Sequence, residues 1–138
     1  MKKTTLAIVL MASLTACGGG SSSGDTQDPV SPSSGITMSG KAIDGYIQGA
    51  TVYLDLNFNR QWDDGEPQTT TNAAGDYRLE LPEELQTCAQ YAPLVVDVPA
   101  GAVDLDLGPV TEAYQMVLPP TFAPITQDDA YHVTPFTT

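Results

Sequence analysis

Positive charge is what this chain has least of: its 138 residues carry five Lys and Arg against 17 Asp and Glu, a formal net charge of −12. Proteins that grip nucleic acid do so by neutralising phosphates with basic side chains, so this balance argues against a nucleic-acid partner. Histidine occurs once, as His132, and cysteine twice, as Cys17 and Cys88. A zinc centre wants His or Cys, and the chain has few of either. No Gly-x-Ser-x-Gly or comparable nucleophile motif lies beside His132, which reads as a surface or packing residue. Paired acids such as Glu83 and Glu84 arise in any acidic sequence and do not define a glycosidase. An enzyme is therefore not expected. Aromatic residues are sparse and no long amphipathic helix pattern appears, yet 41% of residues are hydrophobic and fall in patterned segments. That content argues for a folded domain of roughly 100 residues rather than a disordered chain.

The N-terminus is different. Lys2 and Lys3 precede an apolar run from Leu6 to Leu14, then the small residues Thr15 and Ala16 and finally Cys17. This is the layout of a cleaved signal peptide over residues 1–16, too short to span a bilayer permanently. Leu14-Thr15-Ala16-Cys17 resembles the lipobox of bacterial lipoproteins. The resemblance implies that Cys17 is diacylated on sulfur, becomes the new N-terminus and is acylated on nitrogen. At about 0.8 kcal/mol per buried methylene, several acyl chains make a durable membrane anchor. Residues 18–35, rich in Gly, Ser, Pro and Asp, read as a flexible tether, so residues 17–35 form a lipidated linker. No aspartate of the inner-membrane-retention kind follows Cys17, which makes the outer membrane the expected location. Loss of residues 1–16 leaves three basic residues against 17 acidic ones, or −14. A bound cation would ease that self-repulsion. With Cys17 lipidated, Cys88 has no partner for an intramolecular disulfide and reads as a small buried hydrophobe.

Residues 36–138 have the signature of short strands. Ile36 to Ile43 predicts a first strand, and Gly45 a turn. Ala50 to Leu56 places Val52, Leu54 and Leu56 on one face and Thr51, Tyr53 and Asp55 on the other, the period of a half-buried strand. Thr69 to Thr71 and Tyr77 to Leu81 flank Asn72-Ala73-Ala74-Gly75 and predict a hairpin. Pro82 opens the one segment able to make a helical turn, Leu94 to Val98 resumes strand, and Val103 to Leu107 and Ala113 to Leu118 follow, parted by Gly108-Pro109. Many short strands with Gly and Pro breaks predict an all-β fold, a small antiparallel β-sandwich. The ending, His132 to Thr138, has no stop-like polar tail and suggests a truncated piece of a longer protein.

The segment Asp55 to Glu66 carries the chemistry. Asp55, Asn57, Asn59, Asp63 and Glu66 fall at positions 1, 3, 5, 9 and 12 of a loop, and Gln61 at position 7 would offer its backbone carbonyl. This is the ligand spacing of an EF-hand calcium loop, closed by a two-oxygen glutamate. Calcium, a hard ion taking six to eight oxygens, suits this set. Trp62, at position 8, would tie the loop to the core. Arg60 stands where glycine usually makes the sharp turn, and a strand rather than a helix enters the loop. A solvated acidic hairpin loop is the alternative, although four close carboxylates without a cation would repel. A second acidic run, Asp104 to Asp106, with Asp97 as a third candidate ligand, reads better as a solvated hairpin face.

Gly49-Ala50-Thr51-Val52, the Asp/Asn loop ending Asp64-Gly65-Glu66-Pro67, and Thr71 to Tyr77 together resemble the serine-aspartate-repeat B-type and carboxypeptidase-regulatory-like modules of bacterial surface proteins. Residues 93–102 and 133–138 are similar to N-terminal regions of large lipoproteins of Gram-negative bacteria. The resemblance implies a prealbumin-like or immunoglobulin-like sandwich with bound calcium, acting as a spacer or adhesion scaffold. The expectation is a membrane-anchored lipoprotein carrying a calcium-stabilised sandwich with a structural, spacer or adhesive role at the cell envelope, with a protein or glycan as surface ligand. The alternative is the N-terminal accessory or binding domain of a longer envelope enzyme or of a carbohydrate- or protein-binding protein.

Overall fold

Alternating apolar side chains need a second layer to cover them, and residues 36–133 supply it by folding the strands into facing sheets. The computed structural model describes residues 35–137. The predicted signal segment, the lipidation residue Cys17 and all of the tether before Gly35 lie outside the described residues. Among the described residues nine strands are formed, all but β1 and β5 of five residues or fewer: β1 (Ile36–Lys41), β2 (Ile47–Gln48), β3 (Thr51–Leu54), β4 (Gln68–Thr70), β5 (Asp76–Leu81), β6 (Leu94–Val98), β7 (Val103–Asp104), β8 (Gly108–Pro109) and β9 (Tyr114–Leu118). The one α-helix among the described residues, α1 (Gln86–Ala89), is a single turn that follows a 3₁₀ turn at Glu83–Leu85. Among the described residues no helix is long and apolar enough to cross a membrane.

The fold is all-β and built from antiparallel sheets. The larger sheet has the order β4-β3-β6-β9, with Val52 opposite Val96 and Val96 opposite Met116. In the second, β1 pairs with β5, so that Met38 stands opposite Leu79 and Ile36 opposite Leu81. The chain returns alongside β1 in parallel, bridging Ser39 to Ala130 and Ala42 to Val133. A third, small sheet, β2-β7-β8, lies apart from these in the pairing order. Val52, Leu54, Leu94, Val96, Val98 and Met116 from one sheet and Met38, Tyr77, Leu79 and Leu81 from the other form one buried cluster. Every second residue of β5 contributes, as its pattern required.

Gly40 shows why the returning strand fits. A Cβ there would collide with the Tyr131 carbonyl, so only glycine lets the two backbones approach. The Tyr77 hydroxyl donates to that same Tyr131 carbonyl, and Tyr131 N donates to Ser39 O at 2.9 Å.

Three expectations are corrected. The segments around Asn72–Gly75 do not form a hairpin: β4 pairs with β3 and β5 with β1, so the turn carries the chain from one sheet to the other. Asn72 Oδ1 accepts from Ala74 N and Asp76 N, which closes the turn locally while the strands diverge to fill opposite layers. Gly108-Pro109 is not a break but β8, paired with β7, and the strand expected over residues 103–107 is only β7. Cys88 lies half-buried in α1 rather than inside the core.

Candidate metal centre

β3 runs directly into the acidic loop, and the first carboxylate is part of the fold. Asp55 is completely buried; its N donates to Pro93 O at 3.0 Å, which fixes the strand end against the segment entering β6. Its Oδ1 accepts from Asn59 N at 3.2 Å and its Oδ2 from Arg60 N at 2.9 Å. One carboxylate thus folds the loop back over itself. Asn57 Oδ1 accepts from Asn59 N at 3.0 Å, and Asn59 Oδ1 from Gln61 N at 2.7 Å, two successive side-chain turns. Both amide nitrogens then meet at one acceptor: Asn57 Nδ2 and Asn59 Nδ2 donate to Asp63 Oδ2 at 2.7 and 2.6 Å.

Glu66 closes the loop from the far side. It is 8% exposed, and its two oxygens are divided between the ends: Oε1 accepts from Leu56 N at 2.7 Å and Oε2 from Asp63 N at 3.0 Å. Leu54 N donates to Pro67 O, so the strand that enters and the chain that leaves are also joined by backbone. Arg60 has φ +59°, the left-handed backbone that glycine would supply at this position; Phe58, at φ +64°, shares it. Such backbone costs a non-glycine residue about 1–3 kcal/mol, so Asp55 and Glu66 hold two strained residues in place. Trp62 does not reach the core. It is 41% exposed, and its Nε1 donates to Glu66 O at 3.0 Å, tying the loop to itself.

The residue set fits a hard cation. Each side-chain oxygen that accepts a backbone N–H keeps a second lone pair. Asp55, Asn57, Asn59, Asp63 and the Gln61 carbonyl can each turn one oxygen inward and Glu66 two, within the six to eight that calcium takes. Among the described residues no three or more His, Cys, Asp and Glu side chains gather as a metal site by themselves. The loop's donors depend on amides and a carbonyl, a composition that favours calcium over zinc. Asp64, at position 10, is exposed, and among the described residues its carboxylate joins none of the hydrogen bonds that close the loop.

A feature that strand periodicity does not predict lies beneath the loop. Tyr53, Val95 and Val117 stand in register on the outer face of the larger sheet, and all three are buried, forming a second small cluster. Gln115 Nε2, on that same face, donates to Arg60 O at 3.0 Å, which places the loop over this surface. Of the face expected to be solvated, Tyr53 and Asp55 are 1% and 0% exposed. The Tyr53 hydroxyl has no hydrogen-bond partner. Burial, followed by the carboxylates of Asp97, Asp55 and Glu66, pushes it up to about 12, against a smaller opposing pull from the nearby Gln115 side chain.

Asp97 therefore belongs to the Tyr53 side of the larger sheet. Asp104 is 6% exposed rather than solvated, and its Oδ1 accepts from Asp106 N at 2.7 Å and Leu107 N at 3.0 Å. It caps its own turn against Gly45, whose missing Cβ makes room for that carboxylate. Within the second acidic run, then, Asp104 is a buried turn cap on the β7–β8 hairpin, while Asp106 and Asp97 are exposed. Glu83 and Glu84 sit in the exposed 3₁₀ turn before α1. No protein-family model, curated protein or solved structure matches the chain.

Proposed function

We propose that this chain is a lipid-anchored envelope protein whose β-sandwich is stiffened by calcium, and that it serves as a structural, spacer or adhesive module at the outer membrane. The observation that carries the reading is the loop from Asp55 to Glu66, in which a buried first carboxylate and a buried closing carboxylate are held across a loop of alternating oxygen donors. The loop also roofs a buried cluster, so an ion bound there would stabilise the sandwich itself rather than a dangling segment. An ion that binds only the folded loop contributes about 2.7 kcal/mol at a hundredfold excess over Kd, which amounts to several degrees in Tm for a domain of this size.

Trp62 is the only tryptophan and lies within the loop, which gives the binding a clean optical signal. Calcium titrated to about 10 mM, suited to extracellular-type sites with Kd of roughly 0.1 to 1 mM, should shift Trp62 emission and raise Tm. Glu66→Gln should remove most of both effects, Asp55→Asn should act comparably, and Asp64→Asn should matter little. Identical melting curves in calcium and in EDTA would reduce the segment to a self-closed acidic loop. The anchor has its own test: Cys17→Ser should move the protein out of the membrane fraction and leave the fold intact, and its retention after a salt wash would defeat the lipoprotein reading.

A further inference from the structure

The three basic residues between 35 and 137 are Lys41, Arg60 and Arg78, and the chain's single histidine is His132. Two of those three, with that histidine, line one open cavity of about 550 Å³ on the outer face of the second sheet. Register explains the gathering. Lys41 stands opposite Asp76 and Ser39 opposite Arg78 on β1 and β5, while the returning strand brings Ala130 and His132 to the other edge of β1. Thr70 and Asn72 complete the wall beside Lys41 and Arg78. In a chain of net charge −12, the positive side chains of the described residues outside the acidic loop are thus concentrated at one place.

Each basic group is in a different state. Lys41 Nζ is 2.5 Å from Asp76 Oδ1, donates to Ala74 O at 3.3 Å and lies over the Tyr46 ring, so its charge is already answered. Asp76 is held below its ordinary value by that hydrogen bond from Lys41. Arg78 is exposed and, among the described residues, has no ion-pair partner. His132 Nδ1 accepts from Lys41 N at 3.1 Å, which fixes the ring and leaves the proton of the neutral imidazole on Nε2 as a donor. A planar guanidinium fork, an oriented N–H donor and the hydroxyls of Ser39 and Thr70 then share one cavity.

We propose that this cavity binds a small monocarboxylate sugar of the hexuronate class. Arg78 would take the carboxylate in two parallel hydrogen bonds, the geometry for which guanidinium is suited. His132, Ser39, Thr70 and Asn72 would engage the hydroxyls. The sign and size of the ligand follow from electrostatics. A polyanion would add its repulsion from the acidic chain charge by charge, whereas one carboxylate asks for one cation, and Arg78 is the cation of this cavity without an ion-pair partner among the described residues. Asp76, the acid lining the cavity, is turned to Lys41. The site uses no residue of the metal loop, so it stands or falls apart from the calcium reading.

Because His132 is the only histidine, its imidazole protons give one resolved NMR signal pair, read on the full chain at fixed pH and ionic strength. Glucuronate should shift that signal saturably with a Kd on the order of 1 mM, as expected of a small ligand held by a few charge-assisted bonds. Glucose, which lacks the carboxylate, and acetate, which lacks the sugar, should each bind at least about tenfold more weakly, the loss of one good hydrogen-bond pair. Arg78→Gln, a change at an exposed position, should weaken glucuronate about tenfold while leaving Tm unchanged. A linear, unsaturated response to glucuronate, equal binding by Arg78→Gln, or inorganic phosphate or acetate binding as tightly as glucuronate would each overturn the proposal.

Discussion

The two faces of the larger sheet are buried in different ways. On the inner face, Val52, Leu54, Val96 and Met116 pack against apolar side chains of β1 and β5, so apolar surface seals apolar surface. On the outer face, Tyr53, Val95 and Val117 are covered by a loop of Asp, Asn and Glu, and one phenol is shut in without a partner. At its centre burial there is as complete: Val95 and Val96 are neighbours in β6, and both are fully buried. Equal burial does not imply equal security. The inner face stays dry because both layers avoid water, whereas the outer face stays dry only while the loop's hydrogen bonds, and on our reading its ion, hold the loop down.

The sharpest test substitutes the two neighbours. Val96→Ala should cost about 2–3 kcal/mol, two buried methylene equivalents plus a cavity, in calcium and in EDTA alike. Val95→Ala should cost a similar amount in calcium but about 1 kcal/mol less in EDTA, because removing the ion loosens the roof and couples the two changes. Chemical denaturation of both variants under both conditions checks this; equal calcium dependence for the two would show that the faces are not different in kind.

A smaller effect is expected at Tyr53. Its hydroxyl is a buried donor without an acceptor, so Tyr53→Phe should stabilise the protein by about 1 kcal/mol, whereas an ordinary core truncation destabilises. The hydroxyl titrates near 10 in an unfolded chain and at about 12 here. Below pH 10 both states keep the proton and the difference has no effect. As pH rises from 10 through 12 the unfolded chain alone ionises, and stability is lost. Tyr77 and Tyr114 are likewise raised, mainly by burial, and add to the same alkaline loss. Tyr53→Phe should blunt it, as denaturation midpoints at pH 9 and about 11 would reveal; an unchanged alkaline slope would mean that solvent reaches the hydroxyl.

The smallest effect concerns the strained backbone. Arg60→Gly should relieve about 1–2 kcal/mol of left-handed strain and lose part of it to the flexibility of the unfolded glycine, leaving a gain of about 0.5 kcal/mol. Calcium affinity should rise with it, measured by Trp62 emission. Destabilisation instead would show that the Arg60 side chain helps cover the outer face.

Much of this architecture is legible along the chain. β3, β6 and β9 lie within the segments where alternation or β-branched runs predicted them, and β5 begins one residue before its segment, because a strand's two faces differ in composition wherever one of them meets a core. The loop residues could be found by spacing, and Asp55 and Glu66 occupy the two ends from which the loop is held. The hairpin failed at Asn72–Gly75 because a local turn says nothing about which partners its strands choose. β6 held a hint of the outer cluster: Leu94-Val95-Val96 is apolar without alternation, which marks a strand covered on both sides.

By itself the sequence determined the strand periods, the turn at Gly45 and the one-in-two placement of oxygen ligands, because each depends on residues a few positions apart. Tertiary structure alone decided that the loop from Asp55 to Glu66 roofs Tyr53 and Val95, and that Lys41, Arg78 and His132 share a cavity although the last two are separated by more than half of the described chain. The reason is that the second face of a sheet is dry or wet according to which distant segment returns over it, and no local pattern encodes that return.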